Sequence, residues 1–175
     1  SIIVEHILPF LDRGTYDNCI VINKEVFNAG KVVSLPPWPQ ICKALNRGIS
    51  CVTFSPSSQT VACSRNDGVI CLWRNDGRRS TLEGHRSEVL SIAFSPTEHV
   101  LASGSVDCTI RIWFLKELIP TGHVVVLKGH ERAVHSLSFF PNANILASSG
   151  NERMIRLWDV STSSCIGRIE QSDII

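Results

Sequence analysis

The chain has 175 residues, enough for one domain with a sizeable core. Its formal charge of +1 provides no strong field of either sign, which argues against a dedicated nucleic-acid binder. No apolar run reaches the roughly 18 residues that cross a bilayer, and the opening residues carry Glu5 and His6 without a basic start, so neither a membrane span nor a signal peptide is expected.

Residues 1–30 read as helical. Ile2, Ile3, Ile7, Leu8, Phe10 and Leu11 form a dense apolar segment, interrupted by Pro9 and closed by the turn signal Asp12-Arg13-Gly14. Thr15 is placed to cap a second helix running to about Ala29, with Gly30 as its stop. Leu35-Pro36-Pro37-Trp38-Pro39 then reads as a rigid extended linker, because its prolines forbid a helix. A boundary is expected at about residue 40.

From Ile41 onward the hydrophobic period changes to two. Strands are expected at Ile49–Phe54, Gln59–Ser64, Val69–Trp73 and Ser80–Glu83, with a tight hairpin at Arg65-Asn66-Asp67-Gly68. The same four recur around 89–94, 99–103, 108–114 and 123–127, and again around 134–139, 144–148, 153–158 and 164–169.

These segments belong to an ungapped repeat. Phe54, Phe94 and Phe139 are each followed two residues later by Pro56, Pro96 and Pro141. Ala62, Ala102 and Ala147 come next, then Asp67, Asp107 and Glu152, then Ile70, Ile110 and Ile155, and last Trp73, Trp113 and Trp158. Periods of this length mean a stacked or radial architecture. Four antiparallel strands per copy, with turns at regular spacing, make one blade of a propeller. The copies are 40 and then 45 residues apart, and the extra residues fall in Phe114–Gly122, expected to be a longer loop between the third and fourth strands. The expected organisation is a helical segment and Pro-rich linker over 1–40, then three blades at about 41–83, 84–128 and 129–172. The fold class is all-β, a partial β-propeller preceded by a short α-helical segment. Because the chain opens on Ser1 and its one methionine is Met154, a longer natural protein with more repeats is expected.

Gly84-His85 with Asp107 and Trp113 resembles a WD repeat, as does Gly129-His130 through Leu157-Trp158-Asp159. The first copy departs from the pattern: Ala44-Leu45 stands where Gly-His is usual and Cys63 where Ser or Thr is usual. Arg74 and Phe114 replace the Asp after tryptophan. The resemblance implies a buried structural network of His85, Ser103, Asp107 and Trp113, and a second of His130, Ser148, Glu152 and Trp158. Elementary physics agrees, since a buried carboxylate must be paired. Glu152 in place of Asp is expected to distort its turn, and the first blade, with two members lost, is expected to be the softest. A Ser-His-Asp hydrolase built on His85, Ser103 and Asp107 is the distant alternative.

Residues 1–30 also resemble an F-box with its first residues missing, through Val4–Asp12 followed by Val21–Val26. The resemblance implies a substrate-recruiting subunit of a cullin-type ubiquitin ligase, with Leu8, Phe10 and Leu11 meeting an adaptor. The alternatives are a helical hairpin packed on the propeller and a general assembly scaffold. By analogy with the family, partner contacts on the propeller face fall at Gly48, Ser50 and Asn66 in copy one. They fall at Glu88, Leu90 and Val106 in copy two, and at Ala133, His135 and Asn151 in copy three. That set contains no arginine, which disfavours capture of a phosphorylated peptide.

The remaining signals are weaker. The seven cysteines form no CxxC pair, and Cys51, Cys63 and Cys71 fall within expected strands. They read as reduced, largely buried thiols of a cytoplasmic or nuclear protein. The six histidines show no metal-ligand spacing. Arg74, Arg78 and Arg79 surround Asn75-Asp76-Gly77 and read as a solvated hairpin tip. No metal, cofactor or catalytic site is expected.

Overall fold

The computed structural model describes residues 48–170, apart from Glu98, Leu118, Asn142 and Ala143. The helical segment and linker expected over 1–40, including Leu8, Phe10 and Leu11, lie outside the described residues, as do Ala44 and Leu45.

Twelve strands follow one another among the described residues. The first sheet holds β1 (Ile49–Phe54), β2 (Thr60–Arg65), β3 (Ile70–Arg74) and β4 (Arg79–Leu82). The second holds β5 (Val89–Phe94), β6 (Val100–Ser105), β7 (Ile110–Lys116) and β8 (Ile119–Leu127). The third holds β9 (Val134–Phe139), β10 (Ile145–Gly150), β11 (Met154–Asp159) and β12 (Ser164–Glu170). Each is a four-stranded antiparallel meander in chain order. The first strands β1, β5 and β9 lie side by side, so the sheets stack face to face around their inner edges.

Local chemistry repeats with the sequence. After β1 the hydroxyl of Ser55 accepts the N–H of Thr60 at 3.1 Å, and after β5 that of Ser95 accepts the N–H of Val100 at 3.3 Å. Each serine closes the turn that its following proline opens. Between β2 and β3, and again between β6 and β7, the residue after the turn aspartate is left-handed: Gly68 at φ 85° and Cys108 at φ 65°. At Gly68 a Cβ would lie 2.8 Å from the His85 carbonyl oxygen of the next sheet, so glycine is required there by space as well as by conformation.

The insertion after Trp113 differs from the expected loop. Its residues pair instead, Leu115 with Pro120 and Lys116 with Ile119, so β7 and β8 extend into a longer hairpin. The hairpin turns through Glu117 at φ 51°, and a register shift follows Trp113. Pro120 is tolerated because β8 is an edge strand, where a missing N–H breaks no ladder bond. Arg74 of the first sheet donates to the Glu117 carbonyl and ties that hairpin down.

Two apolar layers hold the sheets together. Ala62, Ile70, Leu72 and Leu82 meet Ile92, Phe94, Leu101, Trp113 and Leu115 between the first and second. Ala102, Ile110, Ile112 and Leu127 meet Leu137, Leu146, Trp158 and Val160 between the second and third. The middle sheet is therefore covered on both faces, and β6 is buried along its whole length. The third sheet buries only the face it turns to the second: in β12 the residues are exposed or half-buried, with Ile166 and Ile169 more than half exposed. A Cβ on Gly104 would lie 2.7 Å from Val134 Cγ1, so the second and third sheets approach more closely than a side chain at 104 would allow.

Candidate functional site

The polar groups that look catalytic in the sequence lie between the strands of the second sheet. His85 Nδ1 is 2.9 Å from Asp107 Oδ2, and His85 Nε2 is 2.8 Å from Ser103 Oγ. The Trp113 indole N–H donates to the same Ser103 oxygen at 2.8 Å. The carboxylate only accepts, so Nδ1 carries the proton and Nε2 accepts from the serine hydroxyl. Asp107 also receives the Arg86 and Thr109 backbone N–H groups and the Thr109 hydroxyl. Burial pushes Asp107 upward, but those donors outweigh it and hold the carboxyl at about 2. Burial likewise depresses His85, against the pull of Asp107, so at neutral pH the pair is imidazole and carboxylate.

These contacts have the connectivity of a hydrolytic triad without its access. Ser103 is fully buried, and its oxygen is engaged from two sides by His85 and Trp113. A nucleophile needs a free trajectory and an acceptor site beside it. Gly84, at φ 153°, fits the chain over this cluster: a Cβ there would lie 2.6 Å from the Arg111 guanidinium and 3.4 Å from the Trp113 ring.

The third sheet repeats the network with a longer acid. Glu152 reaches His130 Nδ1, His130 Nε2 is 2.6 Å from Ser148 Oγ, and the Trp158 indole donates to Ser148 at 2.8 Å. The extra methylene lets Glu152 also accept from Arg156 Nε at 3.1 Å. The turn does change: Arg153 is not left-handed, unlike Gly68 and Cys108, and β11 begins one position earlier than β7. Burial raises the Glu152 carboxyl, but the Glu131 N–H, Arg156 and His130 together leave it lowered.

The first sheet is built differently. Asp67 pairs with Arg65 at 2.5 Å and accepts the Val69 N–H at 3.3 Å. Cys63 stands where the other sheets have serine, directly across the strands from Cys71, and both are buried. Burial pushes the Cys71 thiol up, against the opposing pull of the Arg65 guanidinium. Sequence reasoning assigned Arg65 only to a turn. The signal was present in the alignment of copies, since Arg111 and Arg156 lie at the position of Cys71, and the first copy carries its arginine on the facing strand instead. At the opposite end of this sheet, Asp76 is paired with Arg74 at 3.2 Å and Arg78 at 3.6 Å, around Gly77 at φ 86°.

The residues singled out for partner contact lie at one end of the sheets, along the starts of β1, β5 and β9 and the turns beside them. In each sheet the same backbone bond joins turn to strand start: Asn66 N–H to the Gly48 carbonyl, Val106 N–H to Glu88, and Asn151 N–H to Ala133. Gly48, Asn66, Val106, His135 and Asn151 are exposed, and Ser50, Glu88, Leu90 and Ala133 are half-buried. Ser50 Oγ donates to Glu88 Oε1 at 2.5 Å and so links the first two sheets.

Comparison with known proteins agrees with this architecture. The family model "WD domain, G-beta repeat" matches residues 41–74, 77–113 and 121–159. Translation initiation factor 3 subunit I of Pyricularia oryzae is 30% identical over 80 residues, covering 45% of this chain and 24% of that protein. A HIRA homolog of Drosophila melanogaster is 32% identical over 84 residues, covering 37% of this chain and 8% of that protein. Two solved structures, described as U3-55K and the WD40 repeats of RRP9, superpose with TM-scores of 0.66 at 25% identity. Each covers 73% of this chain, which in turn spans 41% and 40% of theirs. The chain thus aligns with less than half the length of these relatives, and it belongs to the WD repeat family.

Proposed function

We propose that this member of the WD repeat family is a non-enzymatic protein–protein interaction module of the cytoplasm or nucleus. Its partners dock on the end of the sheets where β1, β5 and β9 begin. One observation carries this reading: the His85, Ser103 and Asp107 set, the one grouping with the connectivity of a hydrolytic site, is held inside the core with Trp113, whereas the strand starts and neighbouring turns are exposed or half-buried. Sequestered polar networks hold a scaffold in register, while exposed turn residues on rigid strands are where binding sits. The names of its relatives, a subunit of an initiation factor among them, fit a component of larger assemblies. The test compares the proteins co-purified by the native chain with those co-purified by His135→Asp plus Leu90→Asp, and by Arg78→Ala at the opposite end. Partners should be lost with the first variant and kept with the second; the reverse pattern would put the docking face elsewhere.

A narrower reading is recruitment of substrates to a cullin-type ubiquitin ligase. It is favoured by the sequence pattern Val4–Asp12 and Val21–Val26 alone. In it Leu8, Phe10 and Leu11 form an apolar patch for a ligase adaptor. Leu8→Asp with Leu11→Asp should abolish adaptor co-purification and leave the melting temperature of the sheets unchanged. Unfolding of the whole chain instead would make those residues core, and a general assembly scaffold would then be the better description.

A further inference from the structure

We infer that the docking face carries two adjacent subsites of opposite character, and that it takes an extended protein segment presenting a basic side chain next to an aliphatic one. The inference rests on the proposed use of this face and deepens it by naming the partner chemistry.

The argument starts from equivalence. The backbone bonds Asn66 to Gly48 and Val106 to Glu88 place Asn66 and Val106 identically in their sheets. Ser50 and Leu90 occupy the same position near the start of β1 and β5, and Glu88 and Ala133 the same position just before β5 and β9. Two triplets therefore sit at matching seams. At the first seam they are Ser50, Asn66 and Glu88, all polar. At the second they are Leu90, Val106 and Ala133, all apolar, with Val106 40% exposed.

The polar seam is organised and incomplete. Ser50 Oγ donates to Glu88 Oε1 at 2.5 Å. The Asn66 amide, turned so that its nitrogen faces the acceptors, donates to the Gly48 carbonyl at 2.9 Å and to Ser50 Oγ at 2.9 Å, and lies 3.3 Å from Glu88 Oε1. Both contacts to Glu88 are to Oε1. Oε2 accepts no hydrogen bond, and Glu88 makes no ion pair, among the described residues. The other acids of these turns are already paired: Asp67 with Arg65, Asp107 with His85, and Glu152 with His130 and Arg156. Glu88 is a half-buried carboxylate, fixed across two sheets by one oxygen, with the other open. Such a group is a pre-oriented acceptor for a guanidinium or ammonium, and a charge-assisted bond to a fixed carboxylate is among the stronger polar contacts. An aliphatic neighbour on the same segment covers Leu90 and Val106 at the next seam, where an exposed apolar patch gains most from burial.

The experiment is selection of a displayed random dodecapeptide library against the native chain and against two variants. Glu88→Gln keeps an acceptor for Ser50 and removes the charge; Leu90→Asp spoils the apolar seam; both are checked for native circular dichroism. Native chain should enrich peptides with Arg or Lys beside Leu, Ile or Val. A chosen winner should lose about tenfold in affinity with Glu88→Gln, the scale of one charge-assisted bond, and should weaken as salt rises. Winners without a basic residue, indifferent to Glu88→Gln but lost with Leu90→Asp, would overturn the inference and leave the docking face standing. Winners indifferent to both variants, or no enrichment at all, would overturn the inference together with the face itself.

Discussion

The first and second sheets have the same strand order, the same turn aspartate and the same tryptophan, yet the charge of that aspartate is met in two ways. In the second sheet Asp107 leans on a buried imidazole and organises His85, Ser103 and Trp113 through one continuous set of bonds. In the first, Asp67 takes a guanidinium from its own hairpin, and two cysteines occupy the space beside it. The difference teaches that the blade shape does not require the network. Apolar packing and the antiparallel ladder shape the sheet, and the network decides how much is lost when the acid is removed. The third sheet lies between these cases, with Glu152 serving His130 and Arg156 at once.

The sharpest way to break the comparison is Asp107→Ala. It strands His85 Nδ1–H, two backbone N–H groups and the Thr109 hydroxyl in a buried turn, and should cost about 3 kcal/mol or more, read as a fall in the urea midpoint at constant slope. Glu152→Ala should come next, at about 2 kcal/mol, because Arg156 is 5% exposed and loses its carboxylate with His130. Asp67→Ala should cost least of the three, about 1 kcal/mol, since Asp67 and Arg65 keep about a fifth of their side-chain surface in water. Equal losses for Asp67→Ala and Asp107→Ala would show that the two hairpins are energetically alike after all.

Acid titration sharpens the same contrast with the smallest effect. Burial holds His85 and His130 below the ordinary 6.5, so the unfolded chain takes up protons first as pH falls. Stability from these groups should be complete above that value and decline below it. A second decline should follow as pH falls from the ordinary carboxylate value of 3.8 toward about 2, where Asp107 titrates in the folded state. Replacing His85 by Gln should flatten the first decline. A chain whose midpoint is unchanged between pH 7 and pH 5 would mean that the imidazoles are as solvated as in the unfolded state.

Much of this was legible beforehand because the repeat is written in residues with strong local roles. The phenylalanine with proline two residues on, the acidic turn residue and the tryptophan each favour a local geometry, and their spacing repeats without a gap inside each copy, so strand count and strand order followed. The polar network was legible only through the resemblance to the WD repeat, which implies it for His85, Ser103, Asp107 and Trp113 and again for His130, Ser148, Glu152 and Trp158. The hairpin at Phe114–Gly122 was misread because composition marks an insertion without saying whether its backbone pairs; edge position made strand extension the cheaper outcome, Pro120 included. The role of Arg65 was missed because its partners, Asp67 and Cys71, are joined through the turn and across the ladder rather than by a motif.

The sequence by itself determined the blades, their turns and which side chains go inward, because these depend on contacts within about forty residues, one repeat length. Only the tertiary structure decided which faces are covered and which groups meet at the seams. Ile110 and Leu127 are sealed by the third sheet, whereas Ile155 and Ile169, at corresponding positions, stay exposed. Ser50 meets Glu88 only because β1 and β5 lie side by side. The physical reason is that burial and seam chemistry belong to pairs of sheets, and no pattern within one repeat fixes what stands against it.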